Sequence, residues 1–198
     1  MWKKLLVLSS LGCTLISASA KAETVTLARA AELTCHRIER LITLKKIPVN
    51  FLNQIASVQV QALTPANPGD PVFKAVASLV PGANGQAQQL ELLLNEAGKA
   101  LPNPTIVPGP DSVNAPVWPE KDPVTLIENA LHYVLDNSAV MPHLKPFLIG
   151  LTVISLSQVT DSGGKIVAKA EIHSSETKAV LEVIIKTDGN FAAARVIE

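Results

Sequence analysis

The chain has little charge, few aromatic rings and almost no cysteine. Charged residues fill 17% of its 198 positions, and 17 Lys+Arg balance 17 Asp+Glu. Without a basic surplus it lacks the electrostatic footprint of a nucleic-acid binder, so no nucleic-acid partner is expected. One Tyr, two Trp and four Phe leave no material for stacking surfaces that read bases or sugars. Two cysteines are too few for a disulfide scaffold. No apolar run reaches the ~18 residues of a membrane span, so no transmembrane segment is expected. Catalytic signatures are missing as well: G-x-S-x-G, H-E-x-x-H, P-loop and G-x-G-x-x-G do not occur. These absences argue against an enzyme, and no cofactor is expected.

Apolar residues make up 47% of the sequence, too many for a disordered chain. The composition fits a globular protein of one large or two small domains.

Residues 1–22 read as an export signal. Lys3 and Lys4 give a basic start, an apolar stretch runs from Leu5 to Ile16, and Ala18-Ser19-Ala20 and Ala20-Lys21-Ala22 offer small-x-small cleavage sites. The expected location is therefore periplasmic or extracellular, with Glu23 as the first mature residue. Cleavage after Ala22 removes Lys3, Lys4 and Lys21 and no acid, which leaves 14 basic against 17 acidic residues, a net −3. Ser10-Leu11-Gly12-Cys13 resembles a bacterial lipobox, with Ser10 where the pattern prefers Leu. That resemblance implies a lipid anchor at Cys13 and a structural envelope lipoprotein as one alternative.

The remainder repeats. A shift of 96 places Glu32 on Glu128, His36 on His132, Phe51-Leu52 on Phe147-Leu148 and Thr64 on Thr160. Further along, a shift of 91 places Leu90-Glu91 on Leu181-Glu182, Gly98 on Gly189 and Ile106 on Ile197. Five residues are thus missing from the second copy, between Thr160 and Leu181. Each copy opens with a helix. Leu126, Ile127, Ala130, Leu131, Val134 and Leu135 recur at three and four, behind an Asp122-Pro123 start. Leu27, Ala31, Thr34, Cys35, Ile38 and Ile42 form the matching stripe. A shorter helical piece follows near 49–55 and 144–149.

Four strands come next in each copy: 57–63 and 153–159, 72–80 and 165–173, 89–95 and 179–186, then 100–107 and Phe191–Ile197. Leu90, Leu92 and Leu94 alternate onto one face, as do Leu181, Val183 and Ile185. Asp188-Gly189 signals a tight hairpin. Pro102 and Pro104 remove donors from one side of the first copy's fourth strand, so that side must be an edge. Any joint between the two sheets should then use a first strand or the last strand of the chain. Seven of the fourteen prolines lie between Pro102 and Pro123, a stiff, extended connector that Trp118 should pin to a domain.

The expected fold is α+β, a tandem duplication of a helix, a short helix and a four-stranded antiparallel meander. Residues 1–22 are the signal peptide, 23–107 the first repeat, 108–121 the Pro-rich connector and 122–198 the second repeat. In element order, residues 25–198 resemble the β-lactamase inhibitor protein family, a tandem of helical units on four-stranded sheets, and are similar to the cystatin-like layout. Neither family's motifs occur, nor do the inhibitor's disulfides, so the resemblance implies architecture alone.

Two constellations could carry function. Glu32/His36 and Glu128/His132 each share a helical face, and two such helices meeting across a twofold could hold zinc. This is the basis of a zinc-binding or hydrolytic alternative. On the helical wheel, however, Glu128 and His132 border the apolar stripe and turn toward solvent, so the primary expectation is no metal. Cys35 lies on the stripe and reads as a buried hydrophobe rather than a nucleophile. The second constellation is the outward strand face: Gln59 and Gln61 with Ser155 and Ser157 in the first strands, and Leu93 with Ile184 in the third. Equivalent apolar residues on a wet face point to a protein contact surface. The favoured expectation is an exported, non-enzymatic binding protein with a protein partner, using those six residues.

Overall fold

The computed structural model describes residues 25–81, 88–101, 105–106 and 115–198. The export signal, Cys13, Pro102, Pro104 and most of the Pro-rich connector lie outside the described residues.

Helix α1 spans Leu27–Thr43, and the Thr26 hydroxyl accepts from the Arg29 amide at its start. Helix α2 spans Pro123–Asn137. Its cap is the expected one: Asp122 Oδ1 accepts from the Thr125 amide at 3.0 Å, and Pro123 begins the first turn, where a missing N–H costs nothing. A 3-10 turn, Val49–Gln54, follows α1. After α2 come a 3-10 turn, Pro142–Leu144, and the short helix α3, Lys145–Ile149.

The strands are β1 Ile55–Ala62, β2 Phe73–Leu79, β3 Gln89–Leu94, β4 Thr105–Ile106, β5 Leu151–Thr160, β6 Ile166–Ser174, β7 Thr177–Lys186 and β8 Phe191–Ile197. They form one open antiparallel sheet in the order β4-β3-β2-β1-β5-β6-β7-β8, with seven full strands and the two-residue β4 at one edge. Of the expected fourth strand, 100–107, residues 102–104 and 107 lie outside the described residues; among those described, Ala100 is bridged to Leu94, the Leu101 amide donates to the Leu93 carbonyl at 2.9 Å, and β4 pairs with β3.

The two halves join through their first strands, one of the joints that the proline argument left open. Ser57 lies opposite Ser155, Val58 opposite Ile154 and Gln59 opposite Val153. Val58 and Ile154 are equivalent under the 96-residue shift, and the flanking pairs exchange partners about them. This is the pattern a local twofold axis imposes. The register also locates the five missing residues. Val58 faces Ala77, 19 positions on, whereas Ile154 faces Ile172, 18 on. Ala77 faces Leu90, 13 on, whereas Ile172 faces Leu181, 9 on. The first hairpin of the second half is thus one residue shorter than that of the first half, and the second hairpin four shorter.

All three helices lie on one face of the sheet. The buried set runs without a break from Ile38, Leu90 and Leu92 to Leu126, Leu131, Ile154 and Val183. Alternation predicted this face correctly: Leu90, Leu92, Leu94, Leu181, Val183 and Ile185 are all buried. Trp118 packs against the core, and Gln158 Nε2 donates to the Val117 carbonyl at 2.7 Å, which ties the described end of the connector to β5.

Candidate functional site

Helices α1 and α2 pack against each other over the sheet, and their touching faces carry the repeated Glu-x-x-x-His. The pairs cross between helices. His36 Nε2 lies 3.1 Å from Glu128 Oε1, and His132 Nε2 lies 3.2 Å from Glu32 Oε1. Each histidine thus meets the other half's glutamate, the same exchange of partners seen at the strand joint. Within α2, His132 Nε2 is 3.6 Å from Glu128 Oε1.

The wheel-based expectation that these residues turn to solvent holds for the imidazoles and fails for the carboxylates. His36 and His132 keep 50% and 44% of their side-chain exposure, whereas Glu32 keeps 2% and Glu128 13%. A wheel treats one helix alone, and it is the second helix that closes over Glu32. A carboxylate so deeply buried needs compensation. Arg29 Nη1 donates to Glu32 Oε2, leaving Oε1 facing His132. Among the described residues, Glu128 has the two imidazoles as its only ion-pair partners. Glu32, His36 and Glu128 present potential ligand atoms that all lie within 4.8 Å of one another.

The surroundings carry the imprint of this buried negative charge. Burial first, then the Glu128 and Asp122 carboxylates, push the Glu39 carboxyl up, while His36 opposes them. Cys35 is fully buried and free, as expected from the stripe. Burial, reinforced by Glu128, raises its thiol far above the ordinary range, which leaves it inert as a nucleophile.

The helix-free face of the sheet carries the second constellation. Residues opposite one another in antiparallel strands point to the same side, so the register lays out rows. One row runs Gln89, Ser78, Ser57, Ser155, Glu171, Glu182 and Arg195 across seven strands. Gln59 sits between Val76 and Val153 in the next row, and Gln61 beside Lys74 and Leu93 in the one after. Ser157, Lys169, Ile184 and Ala193 form a row on the other half. Gln59, Gln61 and Ser157 are exposed, Ser155 is half-buried, and Leu93 is 40% exposed. The structure does not bring Leu93 and Ile184 together: five strand spacings, ~24 Å, separate them. Each belongs to its own side, and Ile184 lines a depression of about 460 Å³ with Val159, Val167 and Ala193. A second depression of about 420 Å³ lies between Gln59, Gln61, Lys74 and Glu91.

Alternation with Leu181 and Val183 puts Glu182 on this outward face, where a carboxylate would be wet, yet it is 5% exposed. Arg195 Nε donates to it at 2.6 Å and Lys169 Nζ lies 3.4 Å away. The Arg195 hydrogen bond, before any other influence, holds the Glu182 carboxyl below its usual range.

No protein family, curated protein or solved structure matches the chain.

Proposed function

We propose that the chain is an exported, non-enzymatic binding protein whose helix-free sheet face receives a protein partner. One observation carries the reading. The β1–β5 joint turns two small meanders into a single face eight strands wide, on which Gln59, Gln61, Ser155 and Ser157 occupy the centre and Leu93 and Ile184 the flanks. Seven strand spacings by about six residues give a face of ~700 Å², close to one partner's share of a standard protein–protein interface. A small ligand would instead want a deep, mostly enclosed pocket. The central side chains are polar and uncharged, suited to hydrogen bonding with little desolvation cost, and the flanking apolar residues would supply the affinity.

In this reading the fold arose by tandem duplication of one α+β unit in the cystatin-like or β-lactamase-inhibitor-like manner, and residues 1–22 direct export to the periplasm or beyond. The crossed pairings at the strand joint and between the helices support the duplication, because unrelated halves have no reason to exchange partners symmetrically.

The test is capture of a defined partner from the envelope or culture fraction, followed by a binding assay with the purified pair. Leu93→Asp and Ile184→Asp should each weaken binding at least tenfold, while Leu44→Asp, on the helix side and 54% exposed, should leave it unchanged. Loss of binding with Leu44→Asp alone would move the interface to the helices and end this reading. The mass of the mature N-terminus separates Glu23 from a lipidated Cys13.

A further inference from the structure

We infer that Glu32, His36, Glu128 and His132 form a binding site for one divalent transition-metal ion of the zinc class, shared between the two halves. The site is independent of the sheet face. The donor set, two imidazole nitrogens and two carboxylate oxygens, is one that zinc accepts. Ligand atoms bound at ~2.0–2.1 Å in a tetrahedron lie about 3.3 Å apart. Three of the six edges, 3.1, 3.2 and 3.6 Å, are already near that length. Glu32, His36 and Glu128 offer atoms within 4.8 Å of one another, and the half-exposed His132 imidazole, outside that trio, would turn in to complete the set.

Charge and symmetry favour the ion. Two carboxylates with side-chain exposures of 2% and 13% face a shared centre, and Arg29 is the one permanent cation among their described partners. Arg29 is engaged on the far oxygen, Glu32 Oε2, where it fixes the carboxylate and leaves Oε1 to bind. Both histidines turn Nε2 inward, and Glu39 Oε2 lies 3.9 Å from the other ring nitrogen of His36, longer than a hydrogen bond but on the side an orienting carboxylate takes. The two imidazoles are half exposed, which gives an ion a way in. A divalent cation here would neutralise Glu128, whose other partners are imidazoles that carry charge only when protonated. The twofold relation means each half contributes one Glu and one His, so the site exists only because the halves meet.

The experiment uses the untagged full chain with zinc chloride, followed by equilibrium dialysis and elemental analysis. Cobalt(II) serves as the spectroscopic probe, because tetrahedral cobalt absorbs strongly in the visible. The expected result is one zinc per chain and a tetrahedral cobalt spectrum. His36→Ala and His132→Ala should each weaken zinc binding at least tenfold, as should Glu128→Gln. These positions are chosen over Glu32, whose burial makes any variant prone to misfold, and circular dichroism confirms that each variant is folded. His143→Ala combined with His173→Ala should leave binding unchanged. Failure to retain zinc, retention that survives both His36→Ala and His132→Ala, or loss in the His143/His173 variant would each overturn the assignment. None of these outcomes bears on the sheet-face partner.

Discussion

Glu91 and Glu182 stand at matching places on the outer sheet face, yet their surroundings differ. Glu91 keeps 43% of its side-chain exposure beside Lys74, whereas Glu182 keeps 7% between Lys169 and Arg195. The difference starts one strand away. β7 has a full neighbour in β8, which supplies Arg195, while among the described residues the strand beside β3 is the two-residue β4. The residue opposite Glu182 is Arg195, whereas the residue opposite Glu91 is Thr105, which brings no charge. The halves therefore match near the β1–β5 joint and differ toward the edges. Val58/Ile154, Glu32/Glu128 and His36/His132 keep their roles, and the outermost strands do not.

The largest expected effects test whether the halves form one cooperative unit. Phe147 and Phe51 are equivalent positions under the 96-residue shift, 1% and 5% exposed. Each Phe→Ala substitution should cost ~3–5 kcal/mol, from lost burial and the cavity left behind. Because one core runs through both halves, urea unfolding of either variant should show a single transition shifted to lower denaturant. Two transitions, only one of which moves, would divide the molecule into independent halves.

Smaller effects test how closely the hairpin turns correspond. Gly98 and Gly189 both hold positive φ, +69° and +93°, and both lie against the helix of their own half. An added Cβ would sit 2.2 Å from Leu33 Cδ1 at Gly98 and 2.8 Å from Asn129 Nδ2 at Gly189. Leu33 and Asn129 are themselves equivalent positions. Gly98→Ala and Gly189→Ala should each cost ~1–2 kcal/mol. Leu33→Ala should recover part of the first loss by opening space. Asn129→Ala should recover less of the second, because it also removes the 2.8 Å bond from Asn129 Nδ2 to the Gly189 carbonyl. Thermal unfolding of the single and double variants separates these cases.

The smallest effect is a pH dependence that separates Glu182 from Glu91. Glu182 has its folded pKa lowered from the ordinary 4.5 by the Arg195 hydrogen bond. A lowered carboxyl stabilises the fold above its unfolded pKa and loses that contribution as pH falls through the folded value. Stability should therefore decline as pH drops below about 4.5, and Glu182→Gln should flatten that part of the curve. Glu91→Gln should change stability by less than about 0.5 kcal/mol, as for other exposed pairs. Equal slopes in the two variants would mean that β8 does not distinguish the halves.

Much of this architecture could be read from residue order, because the signals were local. Asp122-Pro123 fixed the start of α2, and leucine alternation fixed the inner face of β3 and β7. The two prolines of the expected fourth strand excluded it from the joint, and the joint fell on β1 and β5. The crossed Glu–His arrangement could not be read in the same way. A helical wheel places Glu128 relative to its own helix and says nothing of the neighbour that buries Glu32. The burial of Glu182 escapes the sequence for a related reason: alternation gives the face of a residue but not the long side chains, here Lys169 and Arg195, that cover it.

The central claim is that the halves meet symmetrically through β1 and β5. Disulfide trapping tests it most directly, in a background carrying Cys13→Ser and Cys35→Ala. Ser57→Cys with Ser155→Cys places two thiols directly opposite across the joint, where a disulfide's short reach can be met. Ser57→Cys with Ser157→Cys offsets them along β5 and serves as the control. Mild oxidation should close an intramolecular disulfide in the first pair and leave the second largely reduced, as read by intact mass under non-reducing conditions. Equal trapping in both pairs, or cross-linking only between molecules, would contradict the joint, and with it both the continuous sheet face and the shared Glu–His site.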